Sequence, residues 1–316
     1  MNKYTVKKYT ETDFKIWNDF IDQAKNATFL FHRDFMEYHK DRFEDYSLMV
    51  FDGEKLVAVL PANKSEEKVY SHQGLTYGGL VFSFKLKAEQ VELILDEILF
   101  FLKDNAIDVF YYKPIPSFYL SKGNQELDFF LFKKGGLLVR KEMNLAVNLT
   151  IPLEISKSKL KHFRRIENLH LEVIEEQNLY PFWEEVLEPR LAEKYNTKPV
   201  HSKEEITILK KKFPGNIRQF SIYDEGKIVA GITIFETEKI VKSQYGATTK
   251  KGEEVRALDF LFINLIEKYK SEGKYFFDMG IVGDDSKKEY NEGLLKQKEE
   301  LGCSVYNQDF YKISVK

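Results

Sequence analysis

Shifted against itself by 172 residues, the sequence lays LMVFDGEKLVAVLPANKSEEKVYSHQG (48 to 74) on FSIYDEGKIVAGITIFETEKIVKSQYG (220 to 246), and eight of the 27 positions coincide without a gap. The shared residues are Asp52/Asp224, Lys55/Lys227, Val57/Val229, Ala58/Ala230, Glu66/Glu238, Val69/Val241, Ser71/Ser243 and Gly74/Gly246. A chain that carries one such stretch twice is constrained to build one supersecondary unit twice.

Each copy reads as a strand, a tight turn (Asp52-Gly53-Glu54 or Asp224-Glu225-Gly226), a second strand, a polar turn and a third strand ending at glycine, which is an antiparallel meander. An amphipathic helix follows, with apolar spacing at Val91, Ile94, Leu95, Ile98, Leu99 and Leu102 in one copy and at Leu258, Leu261, Phe262, Leu265 and Ile266 in the other. Then come the strands IDVFYYKPIP (107 to 116) and KYFFDMGIVG (274 to 283), another helix and a last strand. This order, used twice, predicts an α/β protein of two tandem domains, each a mixed, mostly antiparallel sheet flanked by helices. At 316 residues the chain exceeds one core. The join is expected where NLTIPLEI enters the basic run SKSKLKHFRRIENL, giving domains 1–152 and 153–316. A helix is expected before each meander, in FLFHRDFMEYHKDRF and in LYPFWEEVLEPRLAEKY.

The 48 basic and 50 acidic residues nearly cancel, so no global field draws the chain to nucleic acid or to an anionic membrane. A single cysteine, Cys303, rules out an internal disulfide, and six histidines without paired Cys/His spacing argue against a structural zinc, so no metal is expected. The N-terminus lacks an apolar signal segment, and no run approaches the ~20 residues needed to cross a bilayer. The expectation is a cytoplasmic protein without membrane insertion.

SHQGLTYGG (71 to 79) poses the sharpest local question, because a turn accounts for its glycines but not for His, Gln, Thr and Tyr together. His72 and Gln73 stand where the sister copy has Gln244 and Tyr245. His72, with a reference pKa near ~6.5, is the general-base candidate, and Gln73 and Tyr77 are pocket-lining candidates. In YHKDRFED, His39 and Arg42 join a charged set in which Arg42 either holds a phosphate or pairs with Asp45. In KYNTKPVHSKEE, Pro199 breaks a helix and Ser202 with Glu205 forms a capping box, leaving Arg190, Tyr195 and His201 to face a cleft. Asp278 at a strand end, Asn291 and Lys298 are further candidates, whereas Cys303 reads as a packed thiol. Lys161, Arg164 and Arg165 of the basic run could contact phosphates or simply form a solvated face.

GKIVAGITIFE, QYGATTKKGEEVRALDFLF, YFFDMGIVG and LLKQKEELGCSVYNQDFYKI resemble the FemAB-like branch of the GNAT acyltransferase superfamily, which carries two GNAT-type domains in one chain. TYGGLVF, KPVHSKEE, FPGNIRQF and NEGLLKQKEELG look most like its bacterial nucleotide-sugar N-acyltransferases of surface-polysaccharide (O-antigen) synthesis. The resemblance implies transfer of an acyl group from acetyl-CoA or another short-chain acyl-CoA to the amine of a nucleotide-linked amino sugar. It places the pantetheine arm along strand 239 to 247 with Gln244. The pyrophosphate would rest on backbone N–H groups at the following helix start, with Thr248, Thr249, Lys250, Lys251, Gly252 and Arg256 as the cradle. That cradle departs from the usual Arg/Gln-x-x-Gly-x-Gly/Ala in having one glycine and in adding Glu253 and Glu254. Lys298 matches a lysine that FemAB-like transferases place near the reacting acyl group. Two alternatives stand beside this reading: an aminoacyl-tRNA-dependent transferase acting on a peptidoglycan precursor, and a non-catalytic double-GNAT binding protein.

Overall fold

The computed structural model describes residues 3–120, 125–167, 169 and 171–316, with the backbone alone of Tyr195. Two compact units form, one of residues 1–142 with 307–316 and one of residues 143–306.

In the first unit, β1 (Tyr4–Lys8) leads through α1 (Phe14–Ile21) and α2 (Arg33–Met36) to β2 (Glu44–Asp45). There follow β3 (Leu48–Asp52), β4 (Lys55–Leu60), β5 (Asn63–Ser65), β6 (Lys68–Tyr70) and β7 (Val81–Phe82). Helix α3 (Ala88–Asp104), β8 (Val109–Tyr112), α4 (Glu126–Lys133) and the start of β9 (Leu137–Asn148) complete the order. β1, β3, β4 and β7 make one antiparallel sheet. β2, β5, β6 and β8 make a second, in which β6 runs parallel to β8 and residues 311–314 pair antiparallel with β8. Val91, Ile94, Leu95, Ile98 and Leu102 of α3 are buried in the core, as their spacing requires.

The second unit contains the end of β9, α5 (Lys157–Ile166), β10 (Glu172–Glu176), α6 (Tyr180–Phe182), α7 (Glu188–Tyr195), α8 (Lys203–Lys212), β11 (Ile217–Asp224), β12 (Lys227–Glu236) and β13 (Ile240–Thr248). After these come α9 (Lys250–Glu254), α10 (Ala257–Ser271), β14 (Phe276–Ile281), α11 (Glu292–Glu300) and the start of β15 (Ser304–Ser314). Its sheet runs β10, β11, β12, β13, β14, β9, antiparallel except between β13 and β14. Between α6 and α7 the helix widens to a π-turn over Trp183–Leu187, ending two residues before Pro189, whose ring and missing N–H oppose regular α-helical bonding.

The repeat is visible in register. Val69 pairs with Phe110 in parallel as Val241 pairs with Phe277. The copies diverge at Pro61: β4 stops at Leu60, and the chain resumes as β5 in the other sheet, whereas β12 runs on through Thr233 at the matching position. Proline cannot supply the ladder N–H there. The expected division at 152/153 differs from these units, because residues 144–148 of β9 pair with β14 and residues 311–314 pair with β8. The last strand of each repeat thus ends in the unit that the other repeat builds.

Candidate functional site

β13 pairs with β14 only from Ile240 to Lys242. Beyond that point the strand keeps β12 on one side, and Gln244 is the extra residue of a bulge, since Thr233 faces Tyr245 and Ile234 faces Ser243. The strands splay, and a groove of about 410 Å³ opens along the free edge of β13, walled by α10, α11 and α7. Exposed strand edges present backbone donors and acceptors to whatever lies beside them.

Gln244, Thr248, Gly252, Arg256, Arg190 and Lys298 all line this groove, so the structure brings together six of the residues singled out in the sequence. Gln244 Oε1 is buried without a hydrogen-bond partner. Lys298, 5% exposed, donates to the carbonyls of Gly280 and Ile281 at 3.0 and 2.9 Å. Burial, and then the neighbouring Lys242 amine, depress its pKa to about 8. Lys242 itself is held by Asp278 at 3.0 Å, and Asp278, 1% exposed, also accepts from the Gly280 N–H at 2.7 Å. Asp278 is therefore half of an ion pair that joins β14 to β13. Asn291 caps α11, accepting from the Leu294 N–H at 2.9 Å.

The expected anion cradle is largely occupied by its own residues. Thr249 Oγ1 accepts the Gly252 N–H at 3.1 Å, and Thr248 Oγ1 donates to the Val229 carbonyl at 3.0 Å. A Cβ at Gly252 would collide with that carbonyl oxygen, which explains the glycine by close approach. Lys250 is tied to Glu193 at 2.6 Å and Lys251 lies 3.8 Å from Asp224. Arg190 pairs with Glu253, whose carboxylate stands at the groove where a pyrophosphate would need positive charge.

Positive charge gathers instead beside α10. Lys159 of α5 bonds Asp259 at 2.5 Å, and Phe163 packs on Phe260 with ring centroids 5.0 Å apart, which seats α5 against α10. The His162 ring is held below its usual pKa by desolvation and then by the fields of Arg256, Arg165 and Lys161. Arg256, a non-glycine residue at φ 55° preceding α10, thus joins the α5 cations to the groove.

Of the other candidates in this unit, His201 is 4% exposed with Nδ1 2.6 Å from the Tyr245 hydroxyl, and Ser202 and Glu205 form the expected capping box. The Tyr195 side chain lies outside the described residues. The Cys303 thiol is buried 3.3 Å from Met279 Sδ with its pKa pushed up by burial, as suits a packed thiol.

The first unit answers the question of SHQGLTYGG. Phe82 pairs with Ala58 where Thr248 pairs with Ala230, a span of 24 residues against 18. The extra residues turn what is a continuous splayed strand in β13 into a loop between β6 and β7. Ser71 and Gly78 are bonded to the backbone of Tyr111 and Lys113, and a Cβ at Gly78 would collide with the Ser71 carbonyl oxygen. His72, at φ 64° and 5% exposed, stacks on His39 at 5.0 Å. Burial first, then His39, Lys113 and Arg33, hold it well below neutrality, which leaves it a weak base. His39 is 2% exposed. Tyr77 is interior, bonding Thr28 at 2.9 Å and packing on Phe31. Gln73 is bonded to Asn63 and lines a separate cavity with His72. Arg33, which the sequence did not single out, bonds the Asp45 carboxylate, and Arg42, beyond the short helical turn, lies over the Tyr38 ring with its Nε 3.9 Å from Asp41. Among the described residues no cluster of three or more His, Cys, Asp or Glu could hold a metal ion.

Comparison with family models and with curated proteins finds no match. Solved structures do match. FemX is similar at a TM-score of 0.71 and 10% identity over 98% of this chain and 97% of that one. L-PGS from Bacillus licheniformis gives 0.63 and 15%, covering 97% and 93%. A tandem GNAT protein from the clavulanic acid biosynthesis pathway gives 0.54 and 10%, covering 99% of both. At such identities the likeness concerns the fold, which is a FemAB-like double GNAT arrangement, as the sequence resemblance implied.

Proposed function

We propose that the protein is an N-acyltransferase whose donor lies along the free edge of β13, and that the donor is an aminoacyl ester on tRNA. One observation carries the choice of donor: the cations of α5 and Arg256 stand beside the groove, while the helix-start amide of Gly252 is capped by Thr249 and Glu253 stands at the same wall. A nucleic acid is recognised by exposed cations beside the site, and a pyrophosphate by free backbone amides. The similarity to FemX over nearly the whole chain supports the same reading.

In the reaction, an amine of the acceptor attacks the ester carbonyl, the carbonyl–ribose bond breaks, and an amide forms. The ribose oxygen leaves with a proton, and the ammonium formed on the amine loses one. In this reading Lys298 and the bulged backbone at Gln244, which both line the groove, donate to the developing oxyanion. With its pKa near 8, Lys298 can also exchange a proton at physiological pH. The acceptor in this reading is the amine of a peptidoglycan precursor. The acyl-CoA donor and the nucleotide-linked amino sugar are the competing pair. Among the described residues no helix is long and apolar enough to cross a membrane.

Filter retention of mixed aminoacyl-tRNA at rising salt, beside calorimetric titration with acetyl-CoA, tests the donor. Retention that falls steeply with salt, with no heat from millimolar acetyl-CoA, is expected. Saturable acetyl-CoA binding without tRNA retention overturns the tRNA assignment.

A further inference from the structure

A second cavity, of about 430 Å³, lies within the first unit and belongs to no part of the donor groove. One wall is aromatic. Tyr70 and Tyr111, on the paired strands β6 and β8, stack face to face with centroids 4.9 Å apart and planes 7° from parallel. Phe310 and Tyr311 add further ring surface. The polar groups that reach the cavity are Lys113, Arg140, Gln73 and His72.

The charges here do not balance. Lys113 donates to the carbonyl of Leu75, and among the described residues no carboxylate forms an ion pair with it. Its pKa is lowered to about 8 by burial and by Arg140, so the main charge it feels is another cation. Arg140 lies over the Phe310 ring at 5.0 Å and is paired with Glu142. Arg33, the other cation nearby, is already matched by Glu37 and Asp45. His72 and His39 have lowered pKa values, so they add no further positive charge, and an imidazole supplies no negative charge in any case. A half-buried cation with no ion-paired carboxylate is a favourable place for a ligand to supply negative charge. Concave sites lined by rings with a few convergent polar groups are where small ligands bind.

We propose that this cavity binds an organic anion carried on a flat aromatic body, the anionic group meeting Lys113 and Arg140 and the ring lying against the Tyr70/Tyr111 wall. The anion supplies the charge that Lys113 lacks, and the wall selects against bare inorganic ions. The site lies in the first unit, so it stands or falls independently of the donor assignment.

The test is calorimetry on the full chain with two probes, phenyl phosphate and benzoate, which separate a phosphate from a carboxylate ligand. Inorganic phosphate and phenol are the controls. At least one probe is expected to bind about tenfold or more tightly than both controls. Lys113→Met is expected to weaken that probe about tenfold, and Tyr111→Ala to remove its advantage over the inorganic ion. If circular dichroism shows Lys113→Met unfolded, Arg140→Gln, at a side chain 61% exposed, replaces it with the same expected loss. No binding of either probe at millimolar concentration, or binding unchanged in the folded cation variants, overturns the site.

Discussion

Lys298 Nζ reaches the carbonyl oxygen of Ile281 at 2.9 Å, so a buried amine of the last helix of the second unit holds the end of β14. Lowering of its pKa from 10.5 to about 8 means that the folded protein releases this proton before the unfolded chain does. Between those values the unfolded state binds more protons, so stability rises with pH there, and below about 8 the cost of the buried charge is present in full. Urea denaturation of the wild type and Lys298→Met from pH 7 to 10 is expected to show the wild type gaining on the variant by up to about 3 kcal/mol. A difference that stays flat with pH contradicts a depressed amine.

Gln244 Oε1 is buried with nothing to accept from, on the bulged residue of β13. Removing an unsatisfied acceptor is stabilising, so Gln244→Met is expected to raise stability by about 1 kcal/mol. The same variant is expected to retain aminoacyl-tRNA less well, because the oxygen is free to take a donor group from the ligand. A loss of stability would show that the oxygen already has a partner.

Lys161 and Arg165 are exposed on α5, in the field that reaches Arg256. Replacing both with glutamate is expected to reduce the slope of log affinity for tRNA against log salt by roughly 2, about 0.9 for each phosphate that is no longer neutralised. Lys250→Glu serves as the comparison: Lys250 is tied to Glu193, and its slope is expected to change less. Equal slopes in all three proteins would remove α5 from the tRNA surface.

Gly78 and Gly53 separate lack of space from backbone strain. A Cβ at Gly78 collides with the Ser71 carbonyl, whereas Gly53, at φ 61°, has nothing within 4 Å. Gly78→Ala is expected to cost about 3 kcal/mol or more, as an overpacked core position does. Gly53→Ala is expected to cost about 1 to 2 kcal/mol, the penalty for a side chain in the left-handed region. Thermal denaturation of both variants decides, and equal losses would mean that the loop yields around the new methyl group.

The elements that were legible in the sequence are those set by neighbours along the chain. The apolar spacing of α3, the turns at Asp52 and Asp224, and the Ser202/Glu205 box all depend on residues a few positions apart, and the structure contains each of them. Arg33 was not legible as a partner of Asp45, because spacing along a short helix does not report pairing across a fold. Arg33, twelve residues before Asp45, reaches it once the chain between them folds back.

The sequence by itself determined that one meander-helix-strand unit is built twice, because alternation and helical spacing survive in any tertiary setting. Only the tertiary structure decided that β13 stays continuous and splays from β14 while its sister is interrupted by the loop 71–80. It also decided that Lys298 and Gln244 meet in one groove, and that the last strand of each repeat pairs within the unit built by the other. Strands are joined by backbone hydrogen bonds, which every residue except proline can donate, so side-chain pattern specifies that a strand exists and which face is buried, but not the edge on which it lies.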